Sequence, residues 1–122
     1  MTKVFKKNIC VDFDGVLNNY SGWKGEDDLG EPLQNVEDFL KELSENFCIY
    51  IFTTRSKDKV LDWLVNYGLA QYVFEITNVK IPAVVYIDDR ALYFDGNYET
   101  ILNKVNNFKT HWELKKQKEK VE

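Results

Sequence analysis

Three short apolar runs, each closed by carboxylates or hydroxyls, set what this chain can fold into. They are Asn8-Ile9-Cys10-Val11-Asp12-Phe13, the segment Phe47 to Thr53 (FCIYIFT), and Ala83 to Ile87 (AVVYI), which runs straight into Asp88 and Asp89. A short run that is apolar at nearly every position suits a strand buried on both faces of a parallel sheet. Tyr72 to Ile76 reads as one further strand and Leu92 to Phe94 as another, brief one.

Helical spacing fills the intervals. Between about Asn35 and Ser44, Val36, Phe39, Leu40 and Leu43 recur on one face. Ser56 is an N-cap candidate for a helix running to Tyr67, with Val60, Leu61, Leu64 and Val65 as its stripe and Gly68 just past its end. Tyr98 to Phe108 is a last helix, with Ile101, Leu102, Val105 and Phe108 inward. Strands alternating with helices predict an α/β fold: a doubly wound, mainly parallel five-stranded sheet with helices on both faces. Ligands of such sheets bind beyond the carboxyl ends of the strands, where the strand order switches. Asp12 and Asp14, Thr53 and Thr54, and Asp88 and Asp89 all fall at such ends. They can therefore converge on one site.

At 122 residues the chain fits one domain, and 44% hydrophobic with 15% aromatic content is enough for a core. A formal charge of -4 and a pI near 5.1 argue against an extended basic nucleic-acid surface, though not against a local basic groove. Cys10 and Cys48 sit inside apolar runs and read as buried thiols rather than a disulfide or metal pair. The start, MTKVFKKNIC, lacks the apolar stretch of a secretory signal, and no run nears the roughly 18 apolar residues of a membrane span. A cytoplasmic protein with no membrane contact is the expectation.

Four carboxylates brought close together repel one another, and a hard divalent cation such as Mg²⁺ relieves the conflict. Carboxylates, a hydroxyl and a lysine around such a cation suit phosphoryl transfer. In motif order the chain resembles the haloacid dehalogenase-like phosphatases, over roughly residues 8 to 95. Asp12-Phe13-Asp14-Gly15-Val16-Leu17 is similar to their first motif, Thr53 to the second, Lys80 to the third and Asp88-Asp89-Arg90 to the fourth. The resemblance implies a Rossmann-like core in which Asp12 is the nucleophile that forms an aspartyl-phosphate. It makes Asp14 the general acid and then base, Thr53, Thr54 and Lys80 phosphate ligands, and Asp12, Asp14 (through its backbone carbonyl), Asp88 and Asp89 the Mg²⁺ ligands. Thr54 is the other strand-end hydroxyl, nearer a backbone role, and Lys57 and Lys59 are the other lysines that follow the second motif.

Residues 15–33, rich in glycine, read as a loop or short hairpin, which in the family forms a flap over the site. Tyr20 and Trp23 within it either stack on a substrate ring or pack on the domain. Arg55 and Arg90 either contact substrate or pair with a nearby carboxylate. No segment is long enough for a cap domain, so residues 1–112 read as a single capless catalytic domain and 113–122 as a charged tail, either a solvated helix extension or frayed. His111, the lone histidine, lies at the edge of that tail and is given no catalytic part. An open site suits a phosphomonoester on a large substrate, such as a nucleotide, a polynucleotide end or a phosphoprotein, unless oligomerisation supplies cover. A response-regulator receiver has similar groups in another order, and a non-catalytic binding module on the same fold is the second alternative.

Overall fold

The computed structural model describes residues 5–121. Residues 1–4 and Glu122, the outer ends of the expected domain and tail, lie outside it. Strand β1 (Lys7–Asp12) leads through the glycine-rich segment to helix α1 (Val36–Asn46) and strand β2 (Phe47–Phe52). Helix α2 (Lys57–Asn66) and a 3-10 turn (Ala70–Tyr72) lead to β3 (Glu75–Thr77), then β4 (Val85–Ile87), α3 (Tyr98–Asn106) and α4 (His111–Val121). The four strands form one sheet in the order β3-β2-β1-β4, all parallel. This is an α/β fold compatible with a Rossmann-like core.

Among the described residues the sheet has four strands where the sequence predicted five. Leu92 to Phe94 forms no strand with them, and Tyr93 is 83% exposed. Three apolar residues can satisfy a strand pattern, but a strand also needs an edge to pair with, and local pattern carries no information about that. The strands after Gly68 are shorter than their apolar runs: Tyr72 closes the 3-10 turn, and Ala83 and Val84 precede β4.

Odd-numbered residues of β1 and β2 build the core. Ile9, Val11, Ile49 and Ile51 pack with Phe13, Leu17, Leu40, Val60, Trp63 and Leu64, each of them buried. Removing such side chains from water stabilises by roughly 1.5–3 kcal/mol apiece. The opposite face is covered less evenly. Cys10 is buried there, but Cys48, Tyr50 and Phe52 are half-buried, and α3 contributes no buried residue. Helical cover is thus concentrated on one face rather than spread over both.

Helix ends follow their local chemistry. Ser56 occupies the N-cap of α2, but its side chain makes no cap bond. Instead its backbone N–H donates to Glu26 Oε1 at 2.7 Å. At the other end Gly68 takes φ 71, and Leu69 N donates to Leu64 O at 2.7 Å, closing α2 as a glycine-terminated helix does.

Candidate functional site

The strand order reverses beside β1: β2 and β3 extend to one side of it and β4 lies on the other. That is where a sheet of this kind opens a crevice at its carboxyl edge. Val11 is in register with Ile87, so Asp88 emerges next to Asp12. Carboxylate oxygens of Asp12, Asp88 and Asp89 lie within 4.8 Å of one another. Burial, then the Asp88 charge, then a hydrogen bond and charge from Asp89 push the Asp12 carboxyl up to about 8, against a smaller lowering by the Phe13 N–H. Three crowded carboxylates without a matching positive charge are a donor set that fits a hard, oxygen-preferring divalent cation.

Two of the three are oriented by neighbours. Asp88 Oδ1 accepts from the Arg90 N–H at 2.8 Å, and Asp89 Oδ2 accepts from Trp112 Nε1 at 2.7 Å. Gly15, with φ 82, allows this approach, because a Cβ there would clash with the Asp89 carboxylate.

Asp14 is not part of the acidic group. Its carboxylate accepts from Arg55 Nε at 2.9 and 3.1 Å and from Asn18 Nδ2 at 2.9 Å. Arg55 is 1% exposed. Its Nη1 donates to the carbonyls of Gly25 and Glu26, and its Nη2 donates to that of Asp28. Of its two expected roles, Arg55 shows the pairing with a carboxylate. It is a buried tie that joins Asp14 to the segment 15–33. Asn18, 1% exposed, is a second tie: its Oδ1 accepts from Gly15 N and its Nδ2 donates to Leu29 O. Trp63 Nε1 adds a third through Gly30 O at 2.8 Å. With the Asn18–Pro32 bridge at its base, the segment is a pinned hairpin-like loop.

Thr53 is buried at the end of β2, where its Oγ1 accepts from Arg55 N at 3.0 Å. Thr54 is exposed beside it. Asn78 Nδ2 holds this turn by donating to Thr53 O and Arg55 O at 2.6 and 3.0 Å. Lys80 is exposed, with Nζ 4.3 Å from the centre of the Tyr86 ring and no ion pair to the acidic group. Lys59 pairs with Asp27 at 2.7 Å, and Lys57 is exposed at the start of α2.

Both aromatic residues of the flap pack on the domain. Trp23 lies over the Arg55 guanidinium at 4.6 Å, yet stays 58% exposed. Tyr20 meets Trp112 edge-on at 5.1 Å. Burial and the nearby Asp14 charge push its hydroxyl up. The Arg90 guanidinium sits 5.2 Å from the centre of the same Trp112 ring.

The charged C-terminal segment forms α4, and the expected domain limit at 112 falls inside it. Thr110 and Glu113 build its start: Thr110 N donates to Glu113 Oε1, and Glu113 N donates to Thr110 Oγ1, each at 3.2 Å. That reciprocal pair is written in the sequence as Thr-x-x-Glu, the one signal that announces the helix. Nothing in the sequence marks Asn18, Asn78 or the Trp112 contact, because all three depend on partners far along the chain.

No family model matches the chain, and neither does any curated protein. The solved structure of a conserved protein from Bacteroides thetaiotaomicron is similar to it in fold, with a TM-score of 0.56 over 90% of this chain and 98% of that one at 20% identity.

Proposed function

We propose that the protein is a Mg²⁺-dependent phosphohydrolase of the haloacid dehalogenase-like type, acting on a phosphomonoester through an aspartyl-phosphate on Asp12. The observation that carries the reading is the meeting of Asp12, Asp88 and Asp89 within 4.8 Å at the strand-order switch, with Thr53 on the neighbouring strand end. Asp12, Asp88 and Asp89 would hold the cation. When bound, it would offset the charge of the carboxylates and of the phosphoryl oxygens.

In this reading an Asp12 carboxylate oxygen attacks phosphorus and the ester P–O bond breaks. The leaving oxygen takes a proton from Asp14. Water then attacks the phosphorus of the aspartyl-phosphate, Asp14 accepts its proton, and inorganic phosphate leaves with Asp12 restored. Asp14 serves both steps only if its carboxylate exchanges its Arg55 contact for the substrate. Thr53 keeps its hydroxyl proton free to donate, since its Oγ1 acts as acceptor toward Arg55. Lys80, released from Tyr86, supplies the cation for the phosphoryl group. Nucleotides, polynucleotide ends and phosphoproteins are the substrate classes that a capless, open site favours.

A second reading, a cation-binding module of the same fold without turnover, is favoured by the engagement of Asp14 with Arg55 and of Lys80 with Tyr86. Release of phosphate from an aryl phosphate, with and without Mg²⁺, separates the two. The phosphohydrolase reading expects Mg²⁺-dependent release that Asp12→Asn abolishes. Equal release by wild type and variant, or none by either, contradicts it.

A further inference from the structure

Helix α4 reaches the acidic group and the flap at once. Its Trp112 Nε1 donates to Asp89 Oδ2, and the Trp112 ring carries Tyr20 on one contact and Arg90 on another. One residue earlier, His111 Nε2 lies 2.6 Å from the carbonyl of Gly15, the residue that follows Asp14. One turn later, Lys116 Nζ donates to the Ser21 carbonyl. Thr110, 1% exposed, anchors the turn that presents these groups. A lone helix of this length and charge is marginal in water, so its order here comes from such tertiary contacts.

The chemistry of the contacts differs. The Trp112 N–H occupies one lone pair of Asp89 Oδ2 and thereby fixes the direction of the remaining oxygen lone pairs. Partners of this kind, which orient a ligand without touching the ion, commonly change cation affinity by about 10- to 100-fold when removed. The Tyr20 and Lys116 contacts instead fasten residues 20–21, the near side of the flap, to the same helix.

We propose that α4 is a latch that completes the site: Trp112 is a positioning residue for Asp89, and through Tyr20 it couples the order of the flap to the geometry of the acidic group. The part that concerns cation affinity rests on the reading of Asp12, Asp88 and Asp89 as a Mg²⁺ site. The part that concerns the flap does not.

The test uses the full chain and two readouts, Mg²⁺ affinity by titration calorimetry and amide hydrogen exchange of residues 15–33. Trp112→Phe keeps an aromatic ring for Tyr20 and Arg90 but removes the N–H. It is expected to weaken Mg²⁺ binding by about 10- to 100-fold. In an Asp89→Asn background the same change is expected to have no further effect, because the group it positions is already altered. Trp112→Ala, which also removes the ring, is expected to speed exchange across the flap. A general loss of folding would instead speed exchange in β1 and β2 as well. Equal Mg²⁺ affinity of wild type and Trp112→Phe, or additive losses in the double variant, overturns the positioning role. Unchanged flap exchange in Trp112→Ala overturns the latch. A wild type that takes up no Mg²⁺ overturns the reading of the acidic group, and flap exchange then decides the latch alone.

Discussion

At Asp12, burial and two neighbouring carboxylates act in one direction and push its carboxyl from 3.8 up to about 8. Between those values the folded chain keeps a proton that the unfolded chain has released. The Asp12 contribution to the stability of the cation-free protein is therefore full below the lower value, falls as pH rises through the window, and levels above about 8. A divalent cation takes over the proton's task of offsetting charge, so its stabilising effect should grow as pH rises through the same window. Thermal denaturation from about pH 5 to about pH 9, with and without Mg²⁺, measures both trends. Asp12→Asn is expected to flatten the cation-free curve. At this scale the sequence was informative where strand ends gathered acidic residues, since Asp12, Asp88 and Asp89 do meet. It offered the pairing of Arg55 with a carboxylate as one of two readings, but the choice of Asp14 and the Asn18 contact are set by the folded loop.

Among the ties of the loop of residues 15–33, the buried Arg55 guanidinium makes the most contacts. Arg55 offsets the Asp14 charge and satisfies three loop carbonyls, donors that a lysine could not reproduce in the same plane. Arg55→Met leaves Asp14 without its ion-pair partner and those carbonyls without a donor. It is expected to cost about 3–5 kcal/mol in urea denaturation and to open the loop to proteolysis. A loss below about 1 kcal/mol, the range of exposed ion pairs, would show that the tie is not structural. The helices α1 and α2 were legible from apolar spacing, though on α2 Leu61 and Val65 of the expected stripe are exposed and Trp63 is buried in their place. For α4 a helix extension and a frayed tail both stayed open, since lysine and glutamate dominate its composition; the Thr110-x-x-Glu113 pattern discloses its start.

Across the molecule, packing is uneven. Leu40 is fully buried under the sheet, whereas Leu102 on α3 is 63% exposed. Leu40→Ala is expected to cost about 2–5 kcal/mol by chemical denaturation, and Leu102→Asn to stay within about 0.5 kcal/mol. The helical spacing around Leu102 was read as an inward stripe, but amphipathic spacing alone does not say that a covering surface exists. For the same reason the parallel α/β architecture was legible from alternating runs, while the number of strands was not. In the proposed reaction Asp12 carries a covalent phosphoryl group during turnover. Acid-quenched protein, mixed with an aryl phosphate and Mg²⁺ and analysed by mass spectrometry after proteolysis, tests it directly. One added phosphoryl group is expected on Asp12, enriched in Asp14→Asn, where the second step lacks its base. Phosphate release with no modified Asp12, or modification at another residue, would contradict it.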